Sequence, residues 1–158
     1  AQRTVALARC KLMGWQIDPV KPDPAIIRKA LAEHMCCTAG RAIDADPERD
    51  KLWQAIKTVL AVYTRYWTAI GAPPPYAKAA MLEHLPEALG TDGVEASTWD
   101  DRSEEERAKA ATSAMMRIEG LLGMAGQGVS AEVKHVAGMD EAVRDYARLR
   151  AGLLAVSQ

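Results

Sequence analysis

The 158-residue sequence contains no phenylalanine and no asparagine, and it has only three cysteines. Without asparagine there is no acceptor for N-linked glycosylation. Cys36 and Cys37 are adjacent, and an odd count with adjacent members makes a poor disulfide framework because neighbouring residues in a helix point apart. We therefore expect reduced thiols and a cytoplasmic protein.

Long runs without charge are also absent. The longest segments free of Asp, Glu, Lys and Arg are 66–77 and 120–131, with 12 residues each. A membrane-spanning helix needs about 18 or more apolar residues. Arg3, Arg9 and Lys11 interrupt the N-terminal segment, so no signal-type apolar stretch is expected there. The sequence predicts no association with a membrane.

The rest of the composition is that of one globular domain spanning 1–158. Hydrophobic residues make up 49% of the chain and the formal net charge is −1. A chain of this length can bury a full core, so no metal, disulfide or other cofactor is needed to hold it. Alanine occurs 29 times and arginine outnumbers lysine by 12 to 8. This bias is typical of GC-rich bacterial or phage genomes and suggests a phage or mobile-element origin.

Proline, glycine and capping residues divide the N-terminal part into predicted helices. The first covers 1–13 and stops at Gly14. Its apolar side is formed by Val5, Ala8 and Leu12. The second has Asp23 as its N-cap and Pro24 at its first position, and it is expected to end at Gly40.

The third predicted helix has the strongest pattern. Asp46 supplies the cap, Pro47 the first position and Gly71 the end, which gives a helix over about 47–70. Its apolar residues recur at spacings of 4 and 3, as one face of a helix requires: Leu52, Ile56, Val59, Tyr63, Tyr66 and Ile70. A second row beside the first repeats every 7 residues: Trp53, Leu60 and Trp67.

The C-terminal half contains two further helix signals. Ser103 and Glu106 form a capping box for a helix that is expected to decay between Gly120 and Gly128. Its predicted inward residues are Ala111, Met115, Ile118 and Leu122. Asp140 is the expected cap of the last helix, whose apolar residues are Ala142, Tyr146, Leu149, Leu153 and Val156. Segment 129–137 fits either a strand or a short helix.

These elements predict an all-α, single-domain antiparallel bundle of five or six helices around the long third helix. A shorter helix is expected at 76–85 and a turn at 90–93.

The Trp53, Leu60 and Trp67 row indicates an interface. Two rows of large apolar groups cover more of the circumference than a single packing seam requires. Tryptophan is favoured at interfaces because it brings a large area at little entropy cost. We therefore expect this row to contact another protein chain, most simply a second copy.

Three residues could share a metal ion: Cys10, His34 and Cys37. Thiolate and imidazole are preferred ligands of zinc, and His34 and Cys37 are three residues apart. The chain has no Cys-x-x-Cys pair, however, and small buried cysteines are common in helical cores. We therefore expect no metal at these residues.

Arg28 and His34 have the Arg-x5-His spacing that resembles the HEPN ribonucleases, which are small all-helical dimers. The resemblance implies that the two side chains face a shared cleft, contact phosphate and assist an attacking 2′-hydroxyl. It covers two residues only. Lys29 stands where that family has a small polar residue, and the motif lies early in the chain instead of near its end.

Three basic residues of the third predicted helix are candidates for binding a nucleic acid. Lys51, Lys57 and Arg65 alternate with aromatic residues along the third helix, a mixture that can stack bases and neutralise phosphates. Residues 1–71 carry 11 basic and 7 acidic groups, although the whole chain is near neutral, unlike a typical basic nucleic-acid-binding domain.

For each group of candidate catalytic residues, a purely structural role explains the pattern at least as well as catalysis does. We therefore expect a non-catalytic helical interaction or assembly module. A nucleic-acid-associated accessory protein is the first alternative, and a HEPN-like ribonuclease is the second.

Overall fold

Helix-forming periodicity dominates the sequence, and the computed structural model describes an all-helical fold for residues 1–71 and 101–158. No strand occurs in these two ranges. The α-helices there are α1 (Gln2–Met13), α2 (Pro24–Ala30), α3 (Thr38–Ala42), α4 (Arg49–Ala69), α5 (Glu104–Ala125), α6 (Val129–Val133) and α7 (Tyr146–Val156). A 3₁₀ turn covers Glu33–Cys36 and a π turn covers Lys134–Gly138. The all-α prediction is confirmed. The predicted helix at 76–85 and turn at 90–93 lie outside the described residues.

The end of α1 and the start of α2 follow the sequence signals. Gly14 ends α1 in the left-handed conformation, with φ 69°. The Asp23 carboxylate accepts a 2.8 Å hydrogen bond from the Ala25 backbone N–H and so caps α2. The predicted apolar side of α1 was wrong, because its members Val5, Ala8 and Leu12 are exposed. The buried residues are Ala6 and Cys10, whose small side chains let α1 pack closely on Ala30 of α2.

The second predicted helix is shorter than expected, since α2 ends at Ala30 and does not continue to Gly40. Extended backbone at Ala32 and Cys37 turns the chain twice, before and after the 3₁₀ turn. Gly40 is therefore not a terminator. It lies inside α3, pressed so closely on the 3₁₀ turn that a Cβ there would overlap the carbonyl oxygen of His34.

The long third helix of the prediction is α4, which begins at Arg49 instead of Pro47. Asp46 caps the preceding turn, where its carboxylate accepts a 2.9 Å bond from the Glu48 N–H. The predicted core face is confirmed for Leu52, Ile56, Val59 and Tyr63, which are at most 4% exposed. α4 packs against α5, α7 and the π turn.

The capping box of α5 is confirmed by two reciprocal hydrogen bonds. The Ser103 hydroxyl accepts from the Glu106 N–H at 3.1 Å, and the Glu106 carboxylate accepts from the Ser103 N–H at 2.9 Å. The helix does not decay at Gly120 but continues to Ala125. Of its predicted inward residues, Ile118 and Leu122 are buried, whereas Ala111 and Met115 are only half-buried.

The last helix starts later than predicted. Asp145, not Asp140, caps α7, because the Asp145 carboxylate accepts from the Arg148 N–H at 3.2 Å. Asp140 has a φ of 56°, and its carboxylate accepts a 2.8 Å bond from the Thr38 N–H, which joins the end of the π turn to α3. Segment 129–137, ambiguous in the sequence, is helical throughout.

One main core and one smaller cluster hold these helices. In the main core Gly152 marks a close helix crossing, since a Cβ there would lie 2.6 Å from Val133 Cγ2 and 2.8 Å from Val129 Cγ1. Ala6, Cys10 and Ala30 form the smaller cluster between α1 and α2. Within the described parts of the chain, no helix is both long and apolar enough to cross a membrane.

Candidate functional site

Asp44 is a buried carboxylate near three basic side chains, and its own side chain is 7% exposed. Its carboxylate lies 2.9 Å from His34 Nε2, 3.5 Å from Lys29 Nζ and 4.0 Å from Arg49 Nη1. Burial alone would raise the pKa of Asp44, but the His34 hydrogen bond and the charge of Lys29 outweigh it and lower that pKa. Asp44 therefore stays ionised and joins α2, the 3₁₀ turn and α4.

Trp53 closes this cluster from the side of α4. Its ring meets the His34 ring edge-on, with centroids 6.4 Å apart. Lys57 Nζ lies 5.9 Å from the Trp53 ring centroid and 3.9 Å from the Glu33 carboxylate. The charged groups around His34 are thus paired with groups of opposite charge in the same chain, as in a structural ion-pair network.

The two residues of the ribonuclease resemblance line different features. Arg28 is exposed and lines a shallow groove between α2 and the start of α1 that also includes Arg3. His34 instead binds Asp44 and packs on Trp53. No hydrogen bond or ion pair joins Arg28 to His34 in the described residues.

The candidate metal ligands are separated in the same way. Cys10 belongs to the small α1–α2 cluster, Cys37 to the main core, and His34 to the Asp44 cluster. Over residues 1–71 and 101–158, no three His, Cys, Asp or Glu side chains are arranged to hold a metal.

The candidate nucleic-acid-binding cations differ in exposure. Lys51 is exposed and lies 3.7 Å from the Glu48 carboxylate. Lys57 keeps only 13% of its side chain exposed, because it packs over Trp53 and approaches Glu33. Arg65 is exposed on α4. Lys51 and Lys57 therefore already have carboxylate neighbours within the chain.

The predicted interface row lies mostly inside this chain. Trp53 and Leu60 are 6% and 5% exposed and belong to the main core. Trp67 is half-buried against the same core, with its ring edge-on to Tyr66 at 5.5 Å between centroids. Trp67 is thus the member of the row with appreciable surface.

A different exposed surface is formed by the outer side of α5. We name it the Met–Gly face and define it as Met116, Gly120, Gly123 and Met124. Met116 is 68% exposed and Met124 is 88% exposed. A Cβ added at Gly120 or Gly123 would meet no described atom within 4 Å. The face lies opposite Ile118 and Leu122, which point into the core.

Sequence reasoning missed this face because it interpreted the glycines as the end of a helix. A usable signal was present: Met116, Gly120, Gly123 and Met124 recur at spacings of 4, 3 and 1, which places them on one side of a continuing helix. Comparison with known proteins adds no further assignment, since no protein-family model, curated protein or solved structure matches the chain.

Proposed function

We propose that the chain is a non-catalytic helical interaction module that pairs with a second copy of itself through the Met–Gly face. The observation that supports this is the presence of two glycines inside a 22-residue helix, flanked by two exposed methionines. Each interior glycine destabilises a helix by about 0.5–1 kcal/mol relative to alanine. A Cβ added at Gly120 or Gly123 would meet no described atom within 4 Å, so close packing against the described residues does not explain why these positions are glycine.

Close approach of another helix backbone would offset the stability that the two glycines cost. Glycine lets two helices pack at a shorter distance than any residue with a side chain. Methionine is enriched at interfaces and adapts its shape to a facing surface. A face with methionines on both sides of a glycine notch is therefore suited to a second helix.

The arrangement is also self-complementary, which a two-fold interface requires. On an ideal helix, Met116 and Gly123 lie to one side of Gly120, and Met124 and Arg117 lie to the other. An antiparallel pairing centred on Gly120 puts Met116 of one copy over Gly123 of the second. The same pairing puts Met124 beside the aliphatic stem of Arg117, which is exposed.

Light scattering coupled to size exclusion tests this pairing. The wild-type chain should elute with twice the mass of one chain at high protein concentration. Gly123→Gln should elute as a single chain, because the side chain fills the notch that receives Met116. Its helical circular dichroism should be unchanged or increased, since glutamine is a better helix former than glycine. Ala110→Gln is the matched control, because Ala110 is exposed on α5 outside the Met–Gly face.

A wild-type chain with the mass of one chain at every concentration would overturn the proposal. So would a Gly123→Gln variant that keeps twice the mass. Trp67→Glu tests the row predicted from the sequence in the same assay. If it alone gives single chains with native helical content, the interface lies on α4 instead of α5.

A further inference from the structure

Cys36 and Cys37 stand at a junction between two helical segments and not within one helix. Cys36 ends the 3₁₀ turn, and Cys37 is extended, with φ −135° and ψ 163°, just before α3. The two thiols influence each other's titration: the Cys37 side chain lowers the pKa of Cys36, and the Cys36 side chain raises the pKa of Cys37. The expectation that adjacent cysteines point apart therefore does not apply here, since the expected helix is broken at this point.

The surroundings make the two sulfurs unequal. Cys36 is half-buried, whereas Cys37 is 4% exposed. The Cys37 sulfur also accepts a 3.3 Å hydrogen bond from the Gly40 N–H. Arg9 lies near Cys36, and its guanidinium is held by a 3.0 Å bond to the carbonyl oxygen of Ala30.

These contacts favour the thiolate on Cys36. The neighbouring Cys37 side chain has the largest effect in lowering the pKa of Cys36, and the Arg9 charge adds to it against burial and the Glu33 carboxylate. The neighbouring Cys36 thiol, burial and the Asp140 carboxylate raise the pKa of Cys37 and outweigh the opposing effect of the Gly40 N–H. A half-buried thiol with a lowered pKa, next to a buried thiol that can resolve it, is the arrangement found in peroxide-sensitive cysteine pairs.

We propose that Cys36 and Cys37 form a peroxide-reactive dithiol in which Cys36 is oxidised first and Cys37 resolves it. The Cys36 thiolate attacks one oxygen of hydrogen peroxide and breaks the O–O bond, which gives a sulfenic acid and hydroxide. The Cys37 sulfur then attacks the Cys36 sulfur, an S–S bond forms, and the hydroxyl group leaves. With the protons of the two thiols, the products are one disulfide and two water molecules.

The disulfide formed in this way is strained and therefore reversible. Adjacent Cα atoms are about 3.8 Å apart, whereas disulfides usually join Cα atoms roughly 4.4–6.8 Å apart. Strained disulfides are reduced easily by cellular thiols. Closing the ring also requires Cys37 to rotate away from Gly40, which loosens the start of α3.

Peroxide treatment of the full chain, followed by thiol alkylation and mass spectrometry, tests the proposal. Two of the three thiols should be lost within one chain, and dithiothreitol should restore them. In Cys37→Ser, a 1,3-diketone probe for sulfenic acid should label Cys36. In Cys36→Ser, the probe should not label Cys37. The Cys10→Ser control should still lose two thiols, because Cys10 is buried in the separate cluster.

Alkylation rates provide a second readout that does not depend on the disulfide. At neutral pH, Cys36 should react faster with iodoacetamide than the fully buried Cys10, because Cys36 is more exposed and its lowered pKa favours the reactive thiolate. Arg9→Gln should slow Cys36, whereas Arg3→Gln, an exposed arginine on the same helix, should not. Equal labelling of all three cysteines, or a disulfide only between chains, would overturn the proposal.

Discussion

The Tyr146 hydroxyl donates a 2.6 Å hydrogen bond to the Asp46 carboxylate, across 100 positions of the sequence. Arg150 Nε donates to the same carboxylate oxygen at 2.8 Å. Asp46 therefore fastens α7 to the turn that precedes α4. The bonds from Arg150 and Tyr146 lower the pKa of Asp46 to about 2, and burial together with the Asp46 bond raises the pKa of Tyr146 to about 12.

The first prediction concerns the acid stability of this junction. The pKa of Asp46 is depressed on folding, so its stabilisation is complete above its ordinary value of 3.8 and is lost as the pH falls towards 2. Asp46→Asn should therefore unfold at a lower temperature than wild type at pH 7, and the difference should shrink between pH 4 and 2. Thermal unfolding followed by circular dichroism measures both.

Asp50→Asn is the control for that prediction, because the Asp50 side chain is 96% exposed and forms an ion pair with its neighbour Arg49 at 3.5 Å. Its melting temperature should follow wild type at each pH. A constant gap between Asp46→Asn and wild type from pH 7 to 2 would contradict the assigned role of Asp46.

The second prediction concerns the core face of α4. Ile56 is 0% exposed within the main core, so Ile56→Ala leaves a cavity as well as losing apolar contacts. The free energy of unfolding should fall by about 2–5 kcal/mol, as measured by urea titration. Gln54→Ala, at an exposed neighbour on α4, should change it by less than about 0.5 kcal/mol. A loss below about 0.5 kcal/mol for Ile56→Ala would mean that this face is not the core.

Local signals predicted the features that depend on neighbouring residues. The Ser103–Glu106 capping box, the Asp23 cap and the buried periodicity of α4 are all set within one or two helical turns. Sequence periodicity could not assign Asp140, because its φ of 56° and its bond to Thr38 depend on a contact between segments 102 positions apart. The same holds for the partners of Asp46.

The candidate surfaces were less predictable than the fold. Periodicity shows that Trp53 and Leu60 are apolar positions, but it does not show whether other parts of the chain cover them; in the structure both are buried in the main core. At Gly120 and Gly123 the residue type itself was misleading. Their composition suggests a frayed end, yet the capping box and the buried Ile118 and Leu122 are compatible with a continuous helix.

The third prediction concerns Glu132, a buried carboxylate that is 4% exposed. It accepts hydrogen bonds from the backbone N–H groups of Arg144 at 2.7 Å and Asp145 at 3.0 Å, and these bonds lower its pKa despite burial. Glu132→Ala should lower the free energy of unfolding by about 1–3 kcal/mol for each N–H group left unpaired.

Glu132→Gln separates the hydrogen bonds from side-chain volume. Glutamine keeps one acceptor oxygen, so its loss in urea titration should be smaller than that of alanine. The exposed Glu141→Ala should have little effect. Equal stability of Glu132→Ala and wild type would show that Glu132 does not hold the segment before α7.

The fourth prediction compares two glycines with opposite surroundings. A Cβ at Gly40 would overlap the carbonyl oxygen of His34, which is backbone and cannot rotate away, whereas a Cβ at Gly120 meets no described atom within 4 Å. Gly40→Ala should therefore lower the free energy of unfolding by at least about 2 kcal/mol, as overpacking against fixed atoms does. Gly120→Ala should raise it by about 0.5–1 kcal/mol, because alanine restricts the unfolded chain and favours helix. Urea titrations at low protein concentration measure both without a contribution from self-association.

If Gly40→Ala is as stable as wild type, α3 does not pack on the 3₁₀ turn as described. If Gly120→Ala is destabilised at the same concentration, its Cβ meets a neighbour within the chain, and the Met–Gly face is not open to a second copy.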